Sequence, residues 1–331
     1  MLLNRESNIQ QPNLLVISPV YNEAGNLVEF LSQLAALRSQ HSALNHMQVV
    51  LIEDGSQDSS FEKILELSEQ YSWLSYRQLT GNFGHQAALL SGLSSLHDWQ
   101  DDWSDIVVTL DSDLEHPPQI ILEMVAQWQS KKVQMVQAVR KPHAALPLRK
   151  KMLSQLFYAV TSRLTGLQLS EGQADFCLWD AQVIRQLKPY LHYIGSLRVF
   201  AAWLPVSKST VYYEQNLRTQ GQSGFTWQQN WNLAINSIIR FSNTPLRLIT
   251  WLGVIGVLGS LAHLVQIMIA IYNNEALTPG WTTLILTVIF MGCFQLICLG
   301  ILASYLRRIV FSKNLPLFLI KRDKKISLTG R

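Results

Sequence analysis

The chain has 331 residues and a formal charge of only +4, which gives no reason to expect nucleic acid as a partner. Its three cysteines, Cys177, Cys293 and Cys298, lack paired spacing and give no sign of a disulfide framework or a zinc site. Hydrophobic residues make up 48% of the chain and charged residues 15%, too apolar for an ordinary soluble domain, and this points to membrane segments.

The N-terminus is polar (Asn4, Arg5, Glu6, Ser7, Asn8) and lacks the apolar core of a signal peptide, so the first domain is expected to stay in the cytosol. Leu14-Leu15-Val16-Ile17 reads as a buried strand, and 26–37 carries apolar residues at helical spacing. Val49-Val50-Leu51-Ile52 is a second strand. Asp58 or Ser59 is placed to cap a helix through Ile64, Leu65 and Leu67. A third strand is expected at 76–79 and a helix at 86–96. The run Ile106-Val107-Val108-Thr109-Leu110 is a strand, followed by a helix opened at Pro117, where proline is tolerated in the first turn. A further strand is expected at 133–138. This β-α-β-α order predicts an α/β fold, a doubly wound and mostly parallel sheet with helices on both faces.

Ligands gather at the carboxyl ends of strands in such sheets. Three polar clusters follow strands directly: Pro19, Tyr21, Asn22 and Glu23; Glu53-Asp54-Gly55-Ser56; and Asp111-Ser112-Asp113. The two carboxylates at i and i+2 on extended backbone project to one side and can converge on a divalent cation. Hard oxygen ligands suit Mg²⁺ or Mn²⁺, which commonly also hold substrate phosphates. Glu115 repeats the spacing. A bare Asp-x-Asp is more often a pair of solvated loop carboxylates, and Asp54-Gly55-Ser56 also reads as a turn with a helix cap.

The second half differs. The stretches 248–271 and 281–302 contain no Asp, Glu, Lys or Arg, and each exceeds the roughly 20 apolar residues needed to cross a bilayer. Arg240 and Arg247 precede the first, and Arg307, Arg308 and Lys313 follow the second. The loop 272–280 carries Glu275 and no basic residue. Both ends are therefore expected on the cytosolic side of a plasma or bacterial inner membrane. Trp227, Trp231, Ala234, Ile235, Ile238 and Phe241 recur at helical spacing, as an interface helix or as one docked on the soluble domain. The cluster Lys321-Arg322-Asp323-Lys324-Lys325 reads as a solvated tail or a contact to lipid headgroups. The expected order is a catalytic domain at 1–225, an amphipathic helix at 226–245, two transmembrane helices within 246–306 and a basic tail at 307–331.

In combination these motifs are recognisable. Val16-Ile17-Ser18-Pro19-Val20-Tyr21-Asn22-Glu23, Glu53-Asp54-Gly55-Ser56, Asn82-Phe83-Gly84, the run from Asp111 to Pro118 and Ala174-Asp175-Phe176 occur in family order. The chain resembles the polyprenyl-phosphate glycosyltransferases of glycosyltransferase family 2, a group including dolichol-phosphate mannose synthase and the bactoprenyl glucosyltransferases. The resemblance implies a GT-A fold. It implies that Pro19, Tyr21, Glu23 and Asp54 bind the nucleotide sugar, and that Asp111, Asp113 and Glu115 bind Mg²⁺ or Mn²⁺. Glu115 stands where the family usually has Gln.

The acceptor implied is a polyprenyl phosphate such as undecaprenyl phosphate, held by Arg140, Arg149, Lys150, Arg218 and Ser223. Lys usually follows that serine, and here it is Gly224. Asp175 matches the family's Asp-Phe motif, read as positioning a sugar hydroxyl, assisting at the reacting centre or bracing the fold; Asp111, Asp113 and Asp175 are the catalytic candidates. The reaction implied is inverting transfer of a hexose, with UDP-glucose as first choice and GDP-mannose as the alternative. A non-catalytic scaffold of a glycosylation system is the rival of a different class. A processive synthase is disfavoured because the chain lacks its Gln-x-x-Arg-Trp motif. Relatives form tetramers, and the apolar segments permit a homo-oligomer.

Overall fold

The computed structural model describes residues 11–40, 44–95, 103–141, 173–193, 196–214 and 319–324, together with scattered positions and short runs between 251 and 306. The chain divides into two units, one comprising 1–158, 167–223 and 316–331, the other 159–166 and 224–315.

The first unit is built on one sheet. Its strands are β1 (Leu14–Val20), β2 (Met47–Glu53), β3 (Leu74–Leu79), β4 (Ile106–Thr109), β5 (Met135–Arg140), β6 (Gln173–Asp180), β7 (Lys208–Tyr213) and β8 (Ile320–Lys324). The spatial order is β7-β5-β6-β4-β1-β2-β3-β8. The block β4-β1-β2-β3 is parallel, as the alternation of strands and helices requires. The expected doubly wound sheet is present but more mixed than predicted. β6 enters antiparallel between β4 and β5, and β8 closes the far edge antiparallel to β3.

Every residue of β1 is buried, because both faces of the sheet are covered. Side chains alternate across it. Leu14 and Val16 join the cluster formed with α1 (Leu27–Gln40), α2 (Ser60–Gln70) and α4 (Ile120–Lys131). Leu15 and Ile17 face the other way, into a cluster with α3 (His85–Ser95), α5 (Ala181–Leu187) and α6 (Leu197–Trp203). A 3₁₀ turn, Lys188–Tyr193, links the last two. In α1, Leu27, Phe30, Leu31, Leu34 and Leu37 are all buried, the helical stripe the sequence shows. Burial of each such side chain contributes about 1.5–3 kcal/mol before entropy is counted. Pro117 and Pro118 lead into α4 by accepting from Ile120 N–H and Ile121 N–H through their carbonyls. Asp58, rather than Ser59, supplies the side-chain oxygen at the start of α2, accepting from Ser60 N–H at 3.0 Å.

The cluster expected to form a basic tail is in part sheet: Ile320–Lys324 is the edge strand β8. A larger correction concerns the second unit. An integral membrane protein with two spans was the expectation from 248–271 and 281–302. A span requires an unbroken apolar helix of about 20 residues. Among the described residues no helix is long and apolar enough to cross a membrane, so the placement in an inner membrane with a cytosolic catalytic domain does not stand. The helix expected at 226–245 lies outside the described residues.

α3 lies so close to the sheet that a Cβ at Gly92 would run into the Ile17 side chain and crowd Ile52. Gly92→Ala is therefore expected to destabilise the first unit by about 1–3 kcal/mol, read as a lower denaturation midpoint. An unchanged midpoint would mean that α3 can shift freely.

Candidate active site

The strand order reverses about β1, which lies between β2 and β4, and the first candidate cluster sits at the carboxyl ends of these strands. In the β4–β6 ladder Thr109 stands opposite Cys177. Because the two strands run antiparallel, the same register brings Asp111, two residues after Thr109, towards Asp175, two residues before Cys177. The Thr109 hydroxyl donates to the Asp175 carbonyl oxygen at 2.5 Å, which anchors the start of β6 at this rim.

Cations surround the two carboxylates. His85, the first residue of α3, places Nε2 3.5 Å from Asp111 Oδ1 and 3.4 Å from Asp175 Oδ2. Arg198 of α6 places Nη2 3.4 Å from Asp175 Oδ2. Gln86 donates to the same oxygen at 2.9 Å and accepts Leu197 N–H at 2.6 Å, which fixes the start of α6 and so the position of Arg198. His116 is buried with Nε2 3.5 Å from Asp111 Oδ2, while its Nδ1 meets the Tyr213 hydroxyl of β7. Burial pushes the Tyr213 hydroxyl up to about 12, so it keeps its proton.

These contacts set the charges. Burial opposes a charge on His85, but Asp111 and Asp175 beside it outweigh that and raise its pKa to about 9. Burial likewise opposes ionisation of Asp111, yet His85 and His116 hold it well below the usual carboxylate range. Asp175 is also held low against its burial, by His85 and Arg198.

Asp113 is half-buried, and its Oδ1 accepts Glu115 N–H at 3.0 Å across a turn in which Leu114 has φ +63°. Ser112 faces inward and its hydroxyl donates to the Pro19 carbonyl, tying this loop to β1. The Glu115 carboxylate is buried and lies 3.6 Å from Arg140 Nη2. The structure thus places Glu115 against a candidate acceptor-binding arginine.

Asp111 has the donor chemistry that a divalent cation takes. Asp111 Oδ1 is buried and without a hydrogen-bond partner, and it is a hard oxygen donor. Among the described residues no group of three or more His, Cys, Asp or Glu is gathered to cage a metal. A cation here would therefore draw further ligands from substrate phosphates, as Mg²⁺ commonly does.

On the nucleotide side, Tyr21 presents a ring that is 41% exposed at the end of β1. The other three candidates mostly build the rim. Pro19 is buried in β1. The Glu23 carbonyl accepts Asn26 N–H and Leu27 N–H at the start of α1, while its carboxylate accepts from Asn26 Nδ2 at 2.6 Å. Asp54 is only 2% exposed and accepts Phe83 N–H and Gly84 N–H, each at 2.8 Å. It shapes the loop before α3. Arg149, Lys150, Arg218 and Ser223 lie outside the described residues.

The sequence reading misses His85, Gln86, His116, Arg198 and Tyr213 as site residues. The available signals are adjacency alone: His85 follows Asn82-Phe83-Gly84, and His116 closes the acidic run.

Comparison with known proteins places the chain in a family. A family profile described as Glycosyl transferase family 2 matches residues 15–187. The bactoprenol glucosyl transferase of Shigella phage SfV is 27% identical over 313 residues, 94% of this chain and 98% of that protein. An uncharacterized glycosyltransferase of Synechocystis sp. is 27% identical over 308 residues, 93% of this chain and 94% of that one. Among solved structures, a mannosyltransferase from Pyrobaculum calidifontis in complex with GDP-Man and Mn²⁺ is 14% identical, with a TM-score of 0.48 over 93% of this chain and 88% of that one.

The raised pKa of His85 has a definite pH signature in the metal-free protein. Its stabilisation is whole below its ordinary value of about 6.5 and is lost as pH rises through about 9. The melting-temperature gap between the parent chain and His85→Ala should be widest near pH 6 and shrink by about pH 10. A gap that does not change with pH would contradict the ion cluster.

Proposed function

The chain belongs to glycosyltransferase family 2 and is a glycosyltransferase, and from that premise we propose that it transfers a hexose from a nucleoside diphosphate sugar to a polyprenyl phosphate. UDP-glucose is the favoured donor and undecaprenyl phosphate the favoured acceptor. The observation that carries this reading is the rim pairing of Asp111 and Asp175, flanked by His85 and Arg198. Relatives named for glucosyl transfer to bactoprenol over nearly the same length support the acceptor class.

An acceptor phosphate is already ionised at neutral pH, so no strong general base is needed. Position and charge then do the catalysis. Asp111 and Asp113 would hold Mg²⁺ or Mn²⁺, which when bound neutralises the charge on the departing diphosphate. Tyr21 offers a face for the base. Arg140, half-exposed and steadied by Glu115, is placed to draw the acceptor phosphate towards the anomeric carbon. Asp175, held by His85, Gln86 and Arg198, is left with Oδ1 unpartnered for a sugar hydroxyl. A single displacement inverts the anomer, so an α-linked donor yields a β-linked lipid phosphate sugar. A non-catalytic scaffold has no use for this set of buried, charge-balanced carboxylates.

Purified protein supplied with undecaprenyl phosphate, Mg²⁺ or Mn²⁺ and a panel of labelled nucleotide sugars should give labelled lipid from UDP-glucose. Label from GDP-mannose alone would replace the donor, and no labelled lipid from any donor would refute the reaction class. Asp111→Asn should lower turnover at least about 100-fold with the fold retained. Arg140→Ala should raise the apparent KM for the lipid phosphate about ten-fold or more, as loss of a charge-assisted contact predicts.

A further inference from the structure

The strand β8 lies 240 residues beyond β3 in sequence, yet it pairs with it, with Tyr76 opposite Lys324 and Leu79 opposite Ile320. Between these the register shifts at Gln78 and Leu79. One residue further, Thr80 N–H donates to the Leu319 carbonyl at 2.9 Å. The loop that begins at Thr80 is the one whose Phe83 and Gly84 amides Asp54 holds. It is also packed hard on the second polar cluster: Gly55 has φ +70°, and a Cβ there would lie 2.5 Å from Asn82 N. Loop 80–84 is therefore held on one side by the carboxyl end of β2 and on the other by β8, and His85 follows it directly.

The attachment of β8 is stronger than an edge strand needs. Arg77 of β3 is 1% exposed, and its Nη2 lies 3.0 Å from Asp323 Oδ2. The same guanidinium donates through Nη1 to the Ser91 carbonyl of α3 at 2.9 Å. Lys324 Nζ donates to the Ser68 carbonyl of α2 at 2.5 Å, and Arg322 stands 5.9 Å over the Phe61 ring. A buried guanidinium is costly to leave without its carboxylate. Asp323 thus binds β8 to β3 and, through Arg77, to α3, the two elements that loop 80–84 joins.

We propose that β8 is a positioning element for nucleotide binding, and that Asp323, through Arg77, holds loop 80–84 in the conformation that receives the nucleoside diphosphate. This rests on the donor class proposed above. The chain leaves the sheet unit after Ser223 and returns to it at Pro316, so the return strand completes the donor site only once the whole chain is in place.

The test uses the full chain with UDP and Mn²⁺ as probe, and GDP and Mn²⁺ as a parallel arm. Asp323→Ala should weaken UDP binding about five-fold or more and speed amide exchange at 80–84, while Asp323→Glu should restore both. Coupling is reciprocal, so UDP added to the unaltered protein should slow amide exchange at 319–324 by a similar factor. That second measurement stands even where Asp323→Ala does not fold. Unchanged affinity in folded Asp323→Ala, or unaltered exchange at 319–324 on saturation with UDP, would overturn the proposal. An unaltered chain that binds neither UDP nor GDP would instead overturn the donor class on which it rests.

Discussion

Two carboxylates facing each other across one strand pair are the constraint on which this molecule turns. Thr109 opposite Cys177 brings Asp111 and Asp175 to the same rim, where their charges repel and burial strips them of water. The arrangement survives because His85 and Arg198 come to it from two other places in the chain and His116 turns back onto it from the same loop. Each arrives by a separate route: α3 begins with His85, Gln86 fixes the start of α6 and so Arg198, and Tyr213 of β7 orients His116. The helices on that face are thus packed for the core and aligned for the site by the same few contacts.

The rim also shows how polar residues divide between building a site and serving it. Asp54 is bound to two backbone amides, and Glu23 opens α1 and meets Asn26. Glu115 neutralises Arg140. At this rim Asp111, Asp175 and Arg198 each keep a buried polar atom without a hydrogen-bond partner. A charged, hydroxylated ligand would complete them.

Legibility of the sequence follows the range of the interactions. The runs at Leu14, Val49 and Ile106 announce strands buried on both faces, and the α1 stripe announces its helix, because period and apolarity are local. The parallel block could be read from these. β6, β7 and β8 could not, since the antiparallel β6 and β8 and the parallel β7 are all set by pairing across long stretches of chain. The basic cluster around Arg322 looks like a tail until Arg77 is seen buried beneath it. His85 carries no mark in sequence of the two acids it bridges, 26 and 90 residues away. Asp54 and Glu115 were recognisable as motif members, but which group each would meet depended on the fold. Apolar content at 248–271 and 281–302 likewise says how greasy a segment is, and not that it forms a continuous spanning helix; the described residues contain none.

The most direct test of the central claim is a crystal structure of the protein with UDP and Mn²⁺, with the metal located by anomalous scattering. The account predicts a peak about 2.1 Å from oxygens of Asp111 or Asp113, with the diphosphate completing its coordination and the base beside Tyr21. A metal bound at another edge of the sheet, or a nucleotide seated away from the carboxyl ends of β1 and β4, would contradict it.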